Sequence, residues 1–234
     1  MLKSVKLSES NISLELYGRD FILLRTLDPM KTDLPVIAKY IYKKEFEFVE
    51  ETIATEKEIC LKLNEKFNYS NLIKISELEI DLISNTRNWI LPVLFNTGPD
   101  WKRIYDHCEL NRESYIDQLC SQDLSMKMYG FIPGYVYLSG LAESLWCPRK
   151  EIPAKADPAN SFAVAEHYAG IYSLESPGGW NILGSLACPI IALGELPPVM
   201  LDIHDTVRVK SISQGEYEEI QNGSTNILEY NGLT

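Results

Sequence analysis

The chain has 234 residues, 45% of them hydrophobic, which suits one large folded domain or two small ones. Its net charge of −11 is unevenly placed: residues 1–88 carry 13 basic against 15 acidic side chains, net −2, and residues 89–234 carry 9 against 18, net −9. A half at −9 repels phosphate backbones, which argues against nucleic acid as a partner. No apolar run reaches the roughly 18 residues of a membrane span. Met1-Leu2-Lys3-Ser4-Val5-Lys6 lacks the apolar stretch and cleavage site of a signal peptide, so a cytoplasmic protein off the membrane is expected.

In chain order, residues 12–16 and 21–26 read as two strands around Tyr17-Gly18-Arg19-Asp20, with Gly18 supplying the turn. Asp33 then stands as an N-cap with Pro35 in the first turn, and Leu34, Ile37, Ala38 and Ile41 line one helical face. Residues 46–49 and 59–63 read as strands, and residues 68–83 as a second helix with Leu72, Ile75 and Leu82 on one side. This is an α+β unit over residues 1–88, closed by the polar run Ser84-Asn85-Thr86-Arg87-Asn88.

Residues 89–234 open with a strand at 89–95. A turn at Asn96-Thr97-Gly98-Pro99-Asp100 leads into a helix at 101–108, with Asp100 as its N-cap, and Asn111 caps another. Short strands then dominate, around residues 126–129, 162–165, 170–172, 181–186 and 207–211, which points to a barrel or sandwich. The polar tail from Gln221 is expected to fray.

Three local features could carry chemistry. Ser176-Pro177-Gly178-Gly179-Trp180 has the Pro-Gly order of a type II turn. It is either a plain hairpin turn or a set of backbone N–H groups beside an aromatic wall. Pro148-Arg149-Lys150 lies in a loop, where Arg149 is either a surface charge or a bidentate holder of carboxylate or phosphate. Glu166-His167 follows an apolar run; on a strand the two would face opposite ways and could not form a dyad. The histidines, His107, His167 and His204, and the widely spaced Cys60, Cys108, Cys120, Cys147 and Cys188 have no metal-ligand spacing, so no metal and no disulfide framework are expected. Phosphate-loop, dinucleotide and serine-hydrolase motifs are absent.

The order of motifs is more specific than any one of them. Leu91-Pro92-Val93, Gly98-Pro99-Asp100, Gly130-Phe131-x-Pro133-Gly134-Tyr135-x-Tyr137-Leu138-x-Gly140-Leu141, Pro148-Arg149, Pro158-Ala159-x-Ser161, Gly170-Ile171-Tyr172, Ser176-Pro177-Gly178-Gly179-Trp180 and Gly184 follow one another. This order resembles the B component of the ATP-dependent bacterial 5-oxoprolinase, the KipI or allophanate hydrolase subunit 1 family. The resemblance implies an N-terminal ferredoxin-like α+β domain at residues 1–88 and a C-terminal cyclophilin-like β-barrel of carboxyltransferase C/D type at residues 89–234. It implies a hydrolase subunit acting with a homologous second subunit (C type) and a third (A type), with ATP used in the complex to open 5-oxoproline to glutamate. The other branch implies a regulator that inhibits a histidine kinase, or a module that grips a proline-containing segment.

On that resemblance the ligand cleft would comprise Tyr137, Arg149, Ser161, Ser176, Gly178, Gly179 and Trp180. Glu166 and His167 stand where the family's Gln and Thr segment falls, and are the only weak catalytic candidates. The departures from the family lie mainly in polar side chains. Glu166-His167-Tyr168-Ala169-Gly170 replaces Gly-Gly-Gln-Thr-Gly, Cys120 replaces a His, Asn160 a Gly, and Gly184-Ser185-Leu186-Ala187-Cys188-Pro189 loses an Arg. Asn160 tolerates positive φ well enough to keep its turn.

Overall fold

The computed structural model describes residues 4–7, 12–26, 32–81, 86–192, 194, 198–223 and 228–229. The chain divides into two compact units, residues 1–85 and 86–234.

In the first unit, β1 (Ser4–Lys6) is followed by β2 (Ile12–Tyr17), β3 (Phe21–Thr26), α1 (Leu34–Lys44), β4 (Val49–Ala54), β5 (Glu58–Leu63), α2 (Asn71–Ser76) and β6 (Glu79–Asp81). Gly18, at φ +67, makes the tight turn that lays β2 on β3. The sheet order is β2-β3-β5-β4, with every neighbouring pair antiparallel. β3 and β4 therefore run parallel, joined through α1, with β5 between them. That is the split β-α-β core of a ferredoxin-like unit. Its outer place is taken by β2, while β6 pairs with β1.

α1 starts where Asp33 accepts a hydrogen bond from Val36 N–H at 3.3 Å. It buries Leu34, Val36, Ile37, Ala38 and Ile41, and ends on left-handed Glu45. That cap turns the chain, so Phe46 and Phe48 are not in a strand as expected: their rings pair at 5.2 Å, and β4 begins only at Val49. The helix expected over residues 68–83 is also shorter. Asn68 makes an Asx turn, its Oδ1 accepting Ser70 N–H at 3.1 Å, Asn71 Oδ1 accepts Asn68 N–H at 2.8 Å, and the helix stops at Ser76. Buried Ile80 then belongs to β6, while residues 82 and 83 lie outside the described residues.

The second unit runs β7 (Asn88–Leu94), α3 (Trp101–Cys108), α4 (Arg112–Cys120), β8 (Asp123–Tyr129), β9 (Val136–Ser139), β10 (Ala154–Asp157), β11 (Ser161–Ala165), β12 (Tyr168–Ile171), β13 (Ser176–Gly178), β14 (Asn181–Leu186), β15 (Thr206–Ser211), α5 (Gln214–Gly223) and β16 (Leu228–Glu229). The order β14-β11-β12-β9-β8-β15-β7 closes on itself through β7 and β14 into a seven-stranded barrel. Closure removes the exposed edges of the sheet. The fold is thus α+β with a C-terminal barrel.

β11 is buried along its whole length and lacks the alternation of a half-exposed strand. Phe162 meets Phe95, which packs on Trp101 and through it Tyr115. Ala163 and Ala165 instead join Tyr135, Tyr172, Trp180 and Ile182. β10 and β13 form a separate two-stranded ribbon beside the barrel. α5 was not expected, although its start is written in the sequence. Ser213 and Glu216 exchange hydrogen bonds in a capping box, and Tyr217 and Ile220 rest on Leu94, Ala187 and Ile212. Gln221, where fraying was expected, lies inside this helix. Among the described residues no helix is long and apolar enough to cross a membrane.

Candidate functional site

The site is organised by the segment Cys147-Pro148-Arg149-Lys150. Glu166 N–H donates to Cys147 O at 2.6 Å at one end, and Lys150 N–H donates to Gly179 O at 2.7 Å at the other. Between these, Asn181 Nδ2 donates to Pro148 O at 3.0 Å. So pinned, the segment sends neighbouring cations into different surroundings.

Arg149 lies over the ring of Trp180, 5.7 Å from its centroid, with its side chain 54% exposed. Tyr137 meets the same Trp180 edge-on at 5.3 Å. Burial raises the Tyr137 pKa, and the Arg149 guanidinium opposes the rise. Trp180 itself is only 4% exposed, so it forms the bed under Arg149 rather than an open wall. Glu166 and His167 are not on a strand. They form the two-residue turn between β11 and β12, with Glu166 left-handed at φ 54. Both are exposed; Glu166 Oε1 approaches Arg149 Nε at 3.9 Å, and the His167 ring lies against Tyr168 at 4.1 Å. Arg149, Tyr137, Trp180 and Glu166 therefore make one shelf.

Lys150 enters a cleft of about 450 Å³ whose lining includes Thr97, Asp100, Asp157, Ser161 and Ser185. Its Nζ stands 3.1 Å from Asp100 and 3.6 Å from Asp157. Asp100 occupies the N-cap position of α3 but does not cap it with its side chain; its Oδ2 accepts Ile182 N–H at 2.8 Å. Burial pushes the Asp157 carboxyl up, and Lys150 pulls it back. The Tyr172 hydroxyl is also pushed up by burial and by Asp157. This Lys–Asp–Asp group was not foreseen, because its members are 50 and 7 residues apart along the chain and follow no motif spacing.

Among the expected site residues, Tyr137, Arg149 and Trp180 come together on the shelf. Ser161, only 2% exposed, lines the cleft instead. Ser176 is 7% exposed, and its Oγ is buried without a hydrogen-bond partner. The type II turn expected at residues 176–179 does not form. Ser176–Gly178 is strand β13, paired with β10, and neither Gly178 nor Gly179 has positive φ. Gly178 serves room rather than turn geometry: a Cβ there would stand 1.9 Å from the Tyr172 hydroxyl and 2.7 Å from Asp157 Oδ2. Gly178→Ala is accordingly expected to destabilise the barrel by about 2–3 kcal/mol, as overpacking does. Gly179→Ala, whose nearest neighbour would be Lys150 O at 3.5 Å, should cost far less. Chemical denaturation of the pair checks this; equal losses would refute it. Asn160 does take up its expected positive φ, at 60. All five cysteines are free, two buried and three half-buried. Among the described residues no cluster of His, Cys, Asp or Glu is placed to hold a metal ion.

Residues 13–201 match the carboxyltransferase domain, subdomain C and D, family. The chain belongs to that family. It is 30% identical over 146 residues to the B component of the 5-oxoprolinase of Bacillus subtilis (strain 168), covering 62% of this chain and 61% of that protein. The chain thus spans about three fifths of that relative's length. The crystal structure of TTHA0988 superposes with a TM-score of 0.74 at 23% identity, over 82% of this chain and 40% of that one. The Kluyveromyces lactis urea amidolyase does so with a TM-score of 0.67 at 16% identity, over 94% of this chain and 16% of that one. Both share its fold. Within this carboxyltransferase C/D chain, the matched span includes the shelf and the cleft but stops before β15 and α5.

Proposed function

We propose that this chain is a B-type subunit of a 5-oxoprolinase-like, ATP-dependent amidohydrolase, and that it presents the Arg149 shelf to 5-oxoproline. The observation that carries the reading is Arg149 itself: a half-exposed guanidinium set on Trp180 beside Tyr137. A guanidinium fork binds a carboxylate through two parallel charge-assisted hydrogen bonds. A small lactam ring suits an aromatic bed. The name of the Bacillus subtilis relative supports the same substrate class.

Among the described residues, the cleft around Lys150 does not suit ATP. In the cleft, Lys150 is already held between two carboxylates, and an aspartate pair repels a triphosphate. No glycine-rich phosphate loop precedes a helix in the sequence. In this proposal, nucleotide chemistry falls to the homologous second subunit and the third. This chain's part is to hold the substrate carboxylate on Arg149 and shield its ring.

The test is reconstitution of the full chain with its homologous second and third subunits, followed through ATP-dependent release of glutamate from 5-oxoproline. Turnover is expected only when this chain is present. A correctly assembled complex without turnover overturns the reading. Recovery of a histidine kinase as partner, with no homologous second subunit, would replace it with a KipI-like regulator.

A further inference from the structure

The segment Gly130-Phe131-Ile132-Pro133-Gly134-Tyr135 carries two turns in succession. Ile132 N–H donates to Gly130 O at 2.8 Å across Phe131, whose φ is +66. That is a γ-turn of the rare, strained hand. A bulky side chain at positive φ is an outlier in its own right. Tyr135 N–H then donates to Ile132 O at 3.1 Å, with Pro133 and Gly134 (φ +75) as the two central residues. This is where a Pro-Gly type II turn forms in this chain.

The result is an aromatic ring that is 64% exposed at the end of a strained loop. Burial does not account for it, and strain of this sort persists where the surroundings enforce it, most often at ligand sites. Its ring neighbour, the buried Tyr135, packs on two shelf residues. The Phe131 ring stands edge-on to Tyr135 at 5.9 Å, and Tyr135 touches Tyr137 at 5.1 Å and Trp180 at 5.5 Å. The loop is seated on Tyr137: a Cβ on Gly130 would lie 3.3 Å from the Tyr137 ring.

We propose that Phe131 contacts the ligand at the rim of the Arg149 shelf and restricts it to small carboxylates that carry a ring. The proposal rests on the shelf being the carboxylate site, and it adds the specificity residue that the shelf residues lack. Arg149 takes the carboxylate, whereas Phe131 covers the ring edge, so open-chain carboxylates gain nothing from it.

Titration calorimetry tests this on the full chain, alone and assembled with its partner subunits, using 5-oxoproline, cyclopentanecarboxylate and acetate. Phe131→Gly relieves the backbone and is expected to keep or raise the melting temperature. It should weaken both ring-bearing ligands about tenfold, as loss of an apolar contact does, with acetate within about twofold. Phe131→Ala should show the same ligand pattern without the gain in melting temperature. Ring-bearing ligands bound as in wild type by both variants, while Arg149→Ala weakens all three, would remove Phe131's role and leave the shelf. A wild-type chain that binds none of the three would remove both.

Discussion

Arg149→Ala is expected to lower kcat/KM for 5-oxoproline about 100-fold in the assembled enzyme, the scale of a lost charge-assisted hydrogen-bond pair to a carboxylate. Arg149→Lys should recover only part of this, because an ammonium cannot present two parallel donors or lie flat on Trp180. Stability should scarcely move. The Arg149 side chain is 54% exposed, and its ion pair with Glu166 is long at 3.9 Å. Steady-state kinetics beside a thermal melt separate the two effects. Wild-type kcat/KM in the alanine variant would remove Arg149 from the site, whereas a collapsed melt would make its role structural.

The largest loss of stability is expected from Asp205→Ala. Asp205 is 0% exposed and lies just before β15. It accepts hydrogen bonds from Arg87 N–H at 2.9 Å, Arg87 Nε at 3.2 Å and Nη2 at 2.9 Å, Trp89 Nε1 at 2.7 Å and Asp202 N–H at 2.9 Å. Arg87 also lies over the Trp89 ring at 4.8 Å. The group joins the starts of β7 and β15, the parallel pair of the barrel. Removing the carboxylate strands a partly buried guanidinium and a buried indole N–H, which should cost about 3–5 kcal/mol. Asp205→Asn keeps one acceptor and should cost less. Equilibrium urea unfolding measures both; an alanine variant as stable as wild type would show that the network is dispensable.

Much of the architecture was legible because it rests on short-range chemistry. Asp33 and Pro35 start α1, Gly18 turns β2 into β3, Asn111 caps α4 through Ser114 N–H at 2.8 Å, and Asn160 takes positive φ. β14 spans residues 181–186, as its pattern predicts. The Ser213–Glu216 capping box is equally legible as Ser and Glu three residues apart, but no long apolar stripe follows it to mark a helix. The candidate site was half legible. Arg149 stands out as a cation in a turn-rich loop, but the same Pro-Gly wording at residues 133–134 and 177–178 gives a turn in one place and a strand in the other.

The sequence by itself determined the α+β class, a second half of short strands, and the starts of α1, α3 and α4. Each of these depends on φ/ψ preference, capping or side-chain period within a few residues. Only the tertiary structure decided that β6 pairs with β1 and that Lys150 sits between Asp100 and Asp157. It also decided that Gly178 must leave room for Tyr172, and that Asp205 reaches Arg87 across 118 residues. The Arg87–Asp205 contact follows from setting β7 beside β15 in the closed barrel, and the others from pairings outside it, β6 with β1 and β13 with β10. Such pairings bring distant residues together for reasons of space and unsatisfied polar groups that no local pattern records.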